Sequence, residues 1–335
     1  MSKRNGTIEI YRFILSILIA LFHAEVFKNG YLVVDFFFIV SGYFLYRSVE
    51  KSSGELTEDT LLYCKSKIVR LMPSVVLAWA ACFLYVNRTV SIVEFIKNFL
   101  LGLWNLLLVD MTGLGISSVY NRPTWYLSAM MICSVFLFPI LKKFGKLFVL
   151  IYSPIIVLFL LGSISFSDGC LERIFNKTYF FYHGMLRGCA GLLCGCISYY
   201  IAKKISGLNF SFRSRIIISF SEIILFIFIL FLIYYWGNSE IDFVVFALFF
   251  VLVSIVFSEK SLCGVIFNNS LCYWLGSISY SLYLIHTLCL NILVKINKYS
   301  VVNFLVFSFI SAIVLMYASN AIIKLFRHYT KKSHI

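Results

Sequence analysis

Apolar residues in this chain come in blocks of about twenty, the length that crosses a hydrocarbon core, and short polar segments rich in lysine and arginine separate them. Ten such blocks are read, at roughly 8–26, 31–49, 71–87, 123–141, 146–164, 183–202, 215–236, 241–258, 271–294 and 301–326. The stretch from Ile92 to Val109 is also apolar, but Glu94, Lys97 and Asn98 interrupt it, which suits an interfacial or re-entrant helix better than an eleventh span. The pattern predicts an all-α fold, a polytopic membrane helix bundle of about ten transmembrane helices. Lys3 and Arg4 precede the first apolar run, as they would in a cleaved leader. No small-x-small cleavage site follows, so this segment is expected to be a retained helix.

Composition and charge sharpen this picture. Of 335 residues, 61% are hydrophobic and 13% charged, against about 25% charged in soluble domains. A net charge of +14 would suggest a nucleic-acid partner in a soluble protein, but here the basic residues gather between spans. With the N-terminus inside, the inner segments carry nineteen Lys and Arg and the outer ones eight, while Arg12 and Arg187 fall within spans. The asymmetry predicts cytoplasmic N- and C-termini, as in a multi-pass protein of a bacterial cytoplasmic membrane. The many Phe and Tyr lie in lipid-length runs rather than beside basic patches, which argues against nucleic-acid binding. The ten cysteines show no C-x-x-C pair, and Cys189, Cys194 and Cys196 fall in one span, so they read as small apolar filler. No metal site is expected. With no fixed-period repeat and no loop longer than the one at 88–122, residues 1–335 read as a single integral membrane domain whose chemistry is done by the bundle itself.

Arg12 and His23 lie in the first span, eleven residues apart. At about 100° and 1.5 Å per residue they share a helix face, roughly 16 Å apart along the axis. Ionisable groups at such depth usually face a polar cavity. The alternative is an interfacial pair, Arg12 snorkelling inward and His23 among the outer headgroups. Asp35 opens the second span on the same outer side, where a carboxylate can orient the imidazole as in a His–Asp catalytic pair. Ser41 and Gly42, mid-span, allow close helix approach or leave room for a narrow ligand. His183, opening the sixth span, is expected to be interfacial, and Arg187 stays unassigned.

Arg12-x10-His23 followed by "VVDFFFIVSGYFL" resembles the opening of the acyltransferase-3 family of integral membrane O-acyltransferases. Three further matches follow in order: "KSKIVRLMP" resembles its basic cytoplasmic motif, "RPTWYLSAMM" its Trp-Tyr-Leu segment and "LGSISYSLYLIHTL" its penultimate helix. They reach from residue 8 to about 290. The basic motif departs from the family's two arginines and reads Lys67-x-x-Arg70, which keeps the charge but loses one bidentate fork.

The resemblance implies transfer of an acyl group, acetyl by family habit, from cytoplasmic acetyl-CoA to a sugar hydroxyl of a surface glycan or its lipid-linked precursor. Lys67 and Arg70, with Ser41 and Gly42, would hold the coenzyme, although positive-inside anchoring also explains the two basic residues. His23, with Asp35 and Arg12, would be catalytic, His23 acting as general base or carrying the acyl group in transit. Trp125, Tyr126 and His286 would meet the acceptor, the two aromatic residues being alternatively members of an interfacial belt. The chain ends at residue 335 with a short basic tail, as in stand-alone members. A transporter or flippase for a glycan or glycolipid fits the composition equally, but inverted repeats and paired broken helices, its usual marks, are not evident.

Overall fold

The computed structural model describes residues 4–114 and 120–332, with side chains up to 326. Lys3 and the side chains of Arg327, Lys331 and Lys332, counted above among the inner basic residues, lie outside that range. The protein is a multi-pass membrane helix bundle, and a helix occupies each of the ten lipid-length blocks. These are α1 Gly6–His23, α2 Val33–Lys51, α3 Leu56–Val86, α5 Thr124–Leu147, α6 Ser153–Asp168, α7 His183–Ser206, α8 Phe212–Tyr235, α9 Ile241–Phe257, α11 Ser270–Lys295 and α12 Val301–Lys332. Two shorter helices join them, α4 Ile92–Leu106 and α10 Cys263–Phe267. Among the described residues, eight helical stretches are long and apolar enough to cross a membrane. One of them, 124–168, holds both α5 and α6, divided at Gly145, where φ 54° and ψ −133° break the helix.

The largest boundary difference from the sequence reading is α3, which starts at Leu56 rather than near 71. Hydropathy marks only the part of a helix that lipid covers. The extra turns carry Glu58 and Asp59 next to the positive N-terminal dipole, where carboxylates are favourable. Helix α4 has 15 residues, about 22 Å at 1.5 Å per residue, short of the roughly 30 Å of a hydrocarbon core. Most of it is exposed, Ser91 caps it by accepting from the Glu94 amide, and only Gly102 and Asn105 are buried.

The most extensive helix–helix contact joins α2 and α7. A Cβ on Gly42 would stand 2.0 Å from the Leu192 carbonyl oxygen, and one on Gly195 would stand 2.0 Å from that of Ile39. Gly191 meets Phe38 in the same seam. Gly191-x-x-x-Gly195 is the small-residue spacing that lets membrane helices touch backbone to backbone. Because the obstacle is main chain rather than a movable side chain, Gly42→Val is expected to cost at least the about 1–3 kcal/mol of ordinary overpacking. A lowered unfolding midpoint in detergent would register it, and an unchanged midpoint would rule out the tight seam.

On the less basic side, which we call outer, α6 and α7 are joined by a small antiparallel hairpin, β1 Lys177–Thr178 with β2 Phe181–Tyr182. His183 braces it. Its Nδ1 lies 2.6 Å from Asp168 Oδ2 and its Nε2 2.8 Å from Thr178 Oγ1. The ring is 3% exposed, so His183 is an interior tie rather than the interfacial residue the sequence suggested.

Candidate functional site

Helices α1 and α11 pack along their length, with Gly276 of α11 pressed against Glu9 of α1. This sets the polar face of α1 against the "SYSLYLIH" segment and brings His23 to His286, ring centroids 5.1 Å apart. His286 is fully buried, and its Nδ1 lies 3.1 Å from the Leu282 carbonyl. A carbonyl only accepts, so the proton belongs on Nδ1, and Nε2, without a partner among the described residues, keeps a free lone pair. His23 is half-buried at the end of α1 and, among the described residues, takes part in no hydrogen bond. The Arg122 guanidinium lies within electrostatic reach of it.

Below this pair, on the inner side, runs a cavity of about 680 Å³. It extends from Arg4 and Lys203 at the inner helix ends to Tyr126 and Tyr283 in the outer half. Six cationic side chains line it against two carboxylates, Glu9 and Glu259. Glu9 is already engaged by Arg4 and Arg12, at 2.9 and 3.0 Å, and Lys203 by Glu50 at 2.7 Å. Arg47, Lys67 and Arg70 have no carboxylate partner among the described residues. Deeper in, hydroxyls of Ser41, Ser74, Tyr126 and Tyr280 face the space, Ser41 Oγ and Tyr126 OH being 3.1 Å apart.

The structure thus brings together Arg12, Lys67, Arg70, Ser41 and Tyr126 in the cavity, and His23 and His286 just beyond it. Three other expectations need correction. Gly42 does not reach the cavity, because its face is spent on the seam with α7. Trp125 does not either. It packs on Phe38 and Gly184, with the Arg187 guanidinium 5.9 Å over its ring.

Asp35 is the third correction. It does not orient His23. Both of its oxygens are taken by Arg187, Nε to Oδ1 at 2.7 Å and Nη2 to Oδ2 at 2.9 Å, and neither side chain is more than 1% exposed. Two of the three remaining guanidinium N–H groups go to the carbonyls of Leu171 and Tyr31, at 2.9 and 2.8 Å. Tyr31 OH and the Leu171 amide both donate to Asp242 Oδ2 at 2.8 Å. Arg187, which the sequence left unassigned, is the hub that clamps α2, α7 and α9 at their outer ends. A face of α2 turned toward α7 cannot also face α1.

Two residues escaped the sequence reading. Glu9 pairs with Arg12 three residues on, a spacing at which helix neighbours meet, and that spacing was the available signal. Asp110 had none. It lies in the turn after α4, fully buried, and its carboxylate has no well-formed hydrogen bond among the described residues although the Ser128 hydroxyl is nearby. Burial pushes its carboxyl up to about 6. An unfolded carboxyl titrates near about 4. The contribution of Asp110 to stability is therefore most favourable below about pH 4, falls as the pH rises and levels off above about 6. Asp110→Asn is expected to abolish that decline, gaining up to about 2–3 kcal/mol on the wild type at neutral pH. Thermal unfolding at pH 4 and pH 7.5 checks this, and an equal effect at both would refute it.

Comparison with known proteins adds one decisive finding. The profile of an acyltransferase domain family matches residues 5–321, nearly the whole chain. The chain belongs to the acyltransferase-3 family. No curated protein and no solved structure matches it. An acyltransferase needs an acyl donor and an acceptor. In this one a basic-mouthed cavity and a histidine pair stand end to end. Among the described residues no group of three or more His, Cys, Asp or Glu is placed to hold a metal ion.

Proposed function

We propose that this acyltransferase moves an acetyl group from cytoplasmic acetyl-CoA to a sugar hydroxyl of a surface glycan or its lipid-linked precursor. The observation that carries the reading is the polarity of the cavity. Its inner part holds Arg47 and Lys67 and its wall, nearer Tyr126, Arg70, none with a carboxylate partner among the described residues, and its far end stops beside two histidines. Unpaired cations at the inner side suit the phosphates of the coenzyme. The hydroxyl-lined shaft suits the amide-bearing pantetheine arm, and a cavity of about 680 Å³ is within the usual range for ligand pockets.

His23 then acts as general base at the outer end. It takes the proton of the acceptor hydroxyl as that oxygen bonds to the thioester carbonyl carbon, the C–S bond breaks and the thiolate leaves. The proton passes from the imidazolium to the thiolate, so the products are the sugar ester and the free thiol. His286, with Nδ1–H tied to the Leu282 carbonyl, presents Nε2 as a fixed acceptor beside it. Arg12 sits in the cavity wall with Glu9, on the donor side. Asp35 has no part in the proton transfer.

The test is mass spectrometry of surface glycans from the native host with the gene intact and deleted. A base-labile gain of one acetyl group, present only with the gene, is expected. If no glycan or lipid-linked sugar differs by an acyl group, the acceptor assignment fails.

A further inference from the structure

We infer that Tyr283, together with Tyr126, forms the partition the acyl group must pass to reach the histidines, and that this partition limits the length of the acyl chain accepted. The inference rests on the proposed acyl-CoA reading of the cavity. Tyr126 and Tyr283 both line the outer end of the cavity, whereas neither His23 nor His286 touches it. Tyr283 precedes His286 by three residues on α11, so it lies about 4.5 Å nearer the inner side by helix rise. Its ring centroid is 6.1 Å from that of His286 and 5.7 Å from that of Tyr126. One ring therefore separates the cavity from the histidine pair.

Each ring is held in its resting position by one hydrogen bond of its hydroxyl. Tyr283 OH donates to the Pro123 carbonyl at 2.5 Å, and Tyr126 OH meets Ser41 Oγ at 3.1 Å. Both residues are more than 90% buried, and Phe38 packs on Tyr126 with centroids 4.6 Å apart. A two-carbon acyl group needs little room beside such a wall, and a small swing of Tyr283 brings its carbonyl carbon to the histidines. A longer chain would have to run into the ring or into Phe37, Leu127 and Met130, which line the same cavity. The preference for a short acyl group is thus set by the aromatic end wall and not by the basic mouth, which reads only the coenzyme.

The test measures binding of two non-transferable thioethers, S-ethyl-CoA and S-hexyl-CoA, to the full-length protein in lipid nanodiscs. It needs no knowledge of the acceptor. One misplaced methylene in an apolar pocket changes discrimination by about tenfold or more. The wild type and Tyr283→Phe, which keeps the ring, are accordingly expected to bind the ethyl form at least tenfold more tightly than the hexyl form. Tyr283→Ala should bring the two within about threefold. Tyr283→Leu and Tyr126→Leu, milder cuts to the same wall, serve if the alanine variant does not fold. An ethyl-to-hexyl ratio that is the same in the wall variants as in the wild type overturns the inference and leaves the acyl-CoA reading standing. If neither thioether binds the wild type, the acyl-CoA reading itself is overturned, and the partition with it.

Discussion

Replacing His23 by alanine is expected to remove acyl transfer while leaving the protein folded. General-base catalysis contributes about 10²–10⁴-fold in rate, so the loss should fall in that range or below detection. The stability cost should be small for a structural reason. His23 ends α1, is half-buried, and takes part in no hydrogen bond among the described residues, so its removal strands no buried partner. His286→Ala differs, because it empties a fully buried site, and some of its loss will come through packing. The measurement is glycan acetylation in cells expressing each variant at wild-type level, with unfolding followed in parallel. Acetylation that persists in His23→Ala removes this residue from the chemistry even if the activity is assigned correctly.

Arg187→Met is expected to be the most destabilising single substitution in the outer half of the bundle. Removing one partner of a buried ion pair typically costs about 3–5 kcal/mol, because the other charge is left unpaired out of water. Here the change strands the Asp35 carboxylate and also deprives the Tyr31 and Leu171 carbonyls of their donors. The double variant Arg187→Met with Asp35→Leu should recover much of the loss, since it removes the orphaned charge while keeping the volume filled. Unfolding midpoints of the wild type, both single variants and the double variant make a complete cycle. Equal midpoints for Arg187→Met and the wild type would refute the hub. If Asp35→Asn instead left stability unchanged and abolished transfer, Asp35 would belong to the proton relay after all.

Sequence alone determined the all-α polytopic bundle, because a hydrocarbon core selects lengths of apolar chain and every backbone group within it must be paired in a helix. It also singled out Arg12, His23, Lys67, Arg70 and His286, since ionisable residues in or beside apolar runs are rare enough to demand a reason. The motif order pointed to the family, which the match over residues 5–321 bears out.

Partnership was beyond its reach. Helical spacing says which residues share a face but not which neighbour that face meets, and α2 could have turned Asp35 toward α1 as readily as toward α7. Only the packed bundle settles this. The glycine seam of Gly42, Gly191 and Gly195 draws α2 onto α7, so Asp35 is spent on Arg187, while α1 lies on α11 and its histidine finds His286. Tyr283 became visible as an end wall, and Asp110 as a buried carboxylate, only in three dimensions, because both follow from what surrounds a residue rather than from what precedes it in the chain.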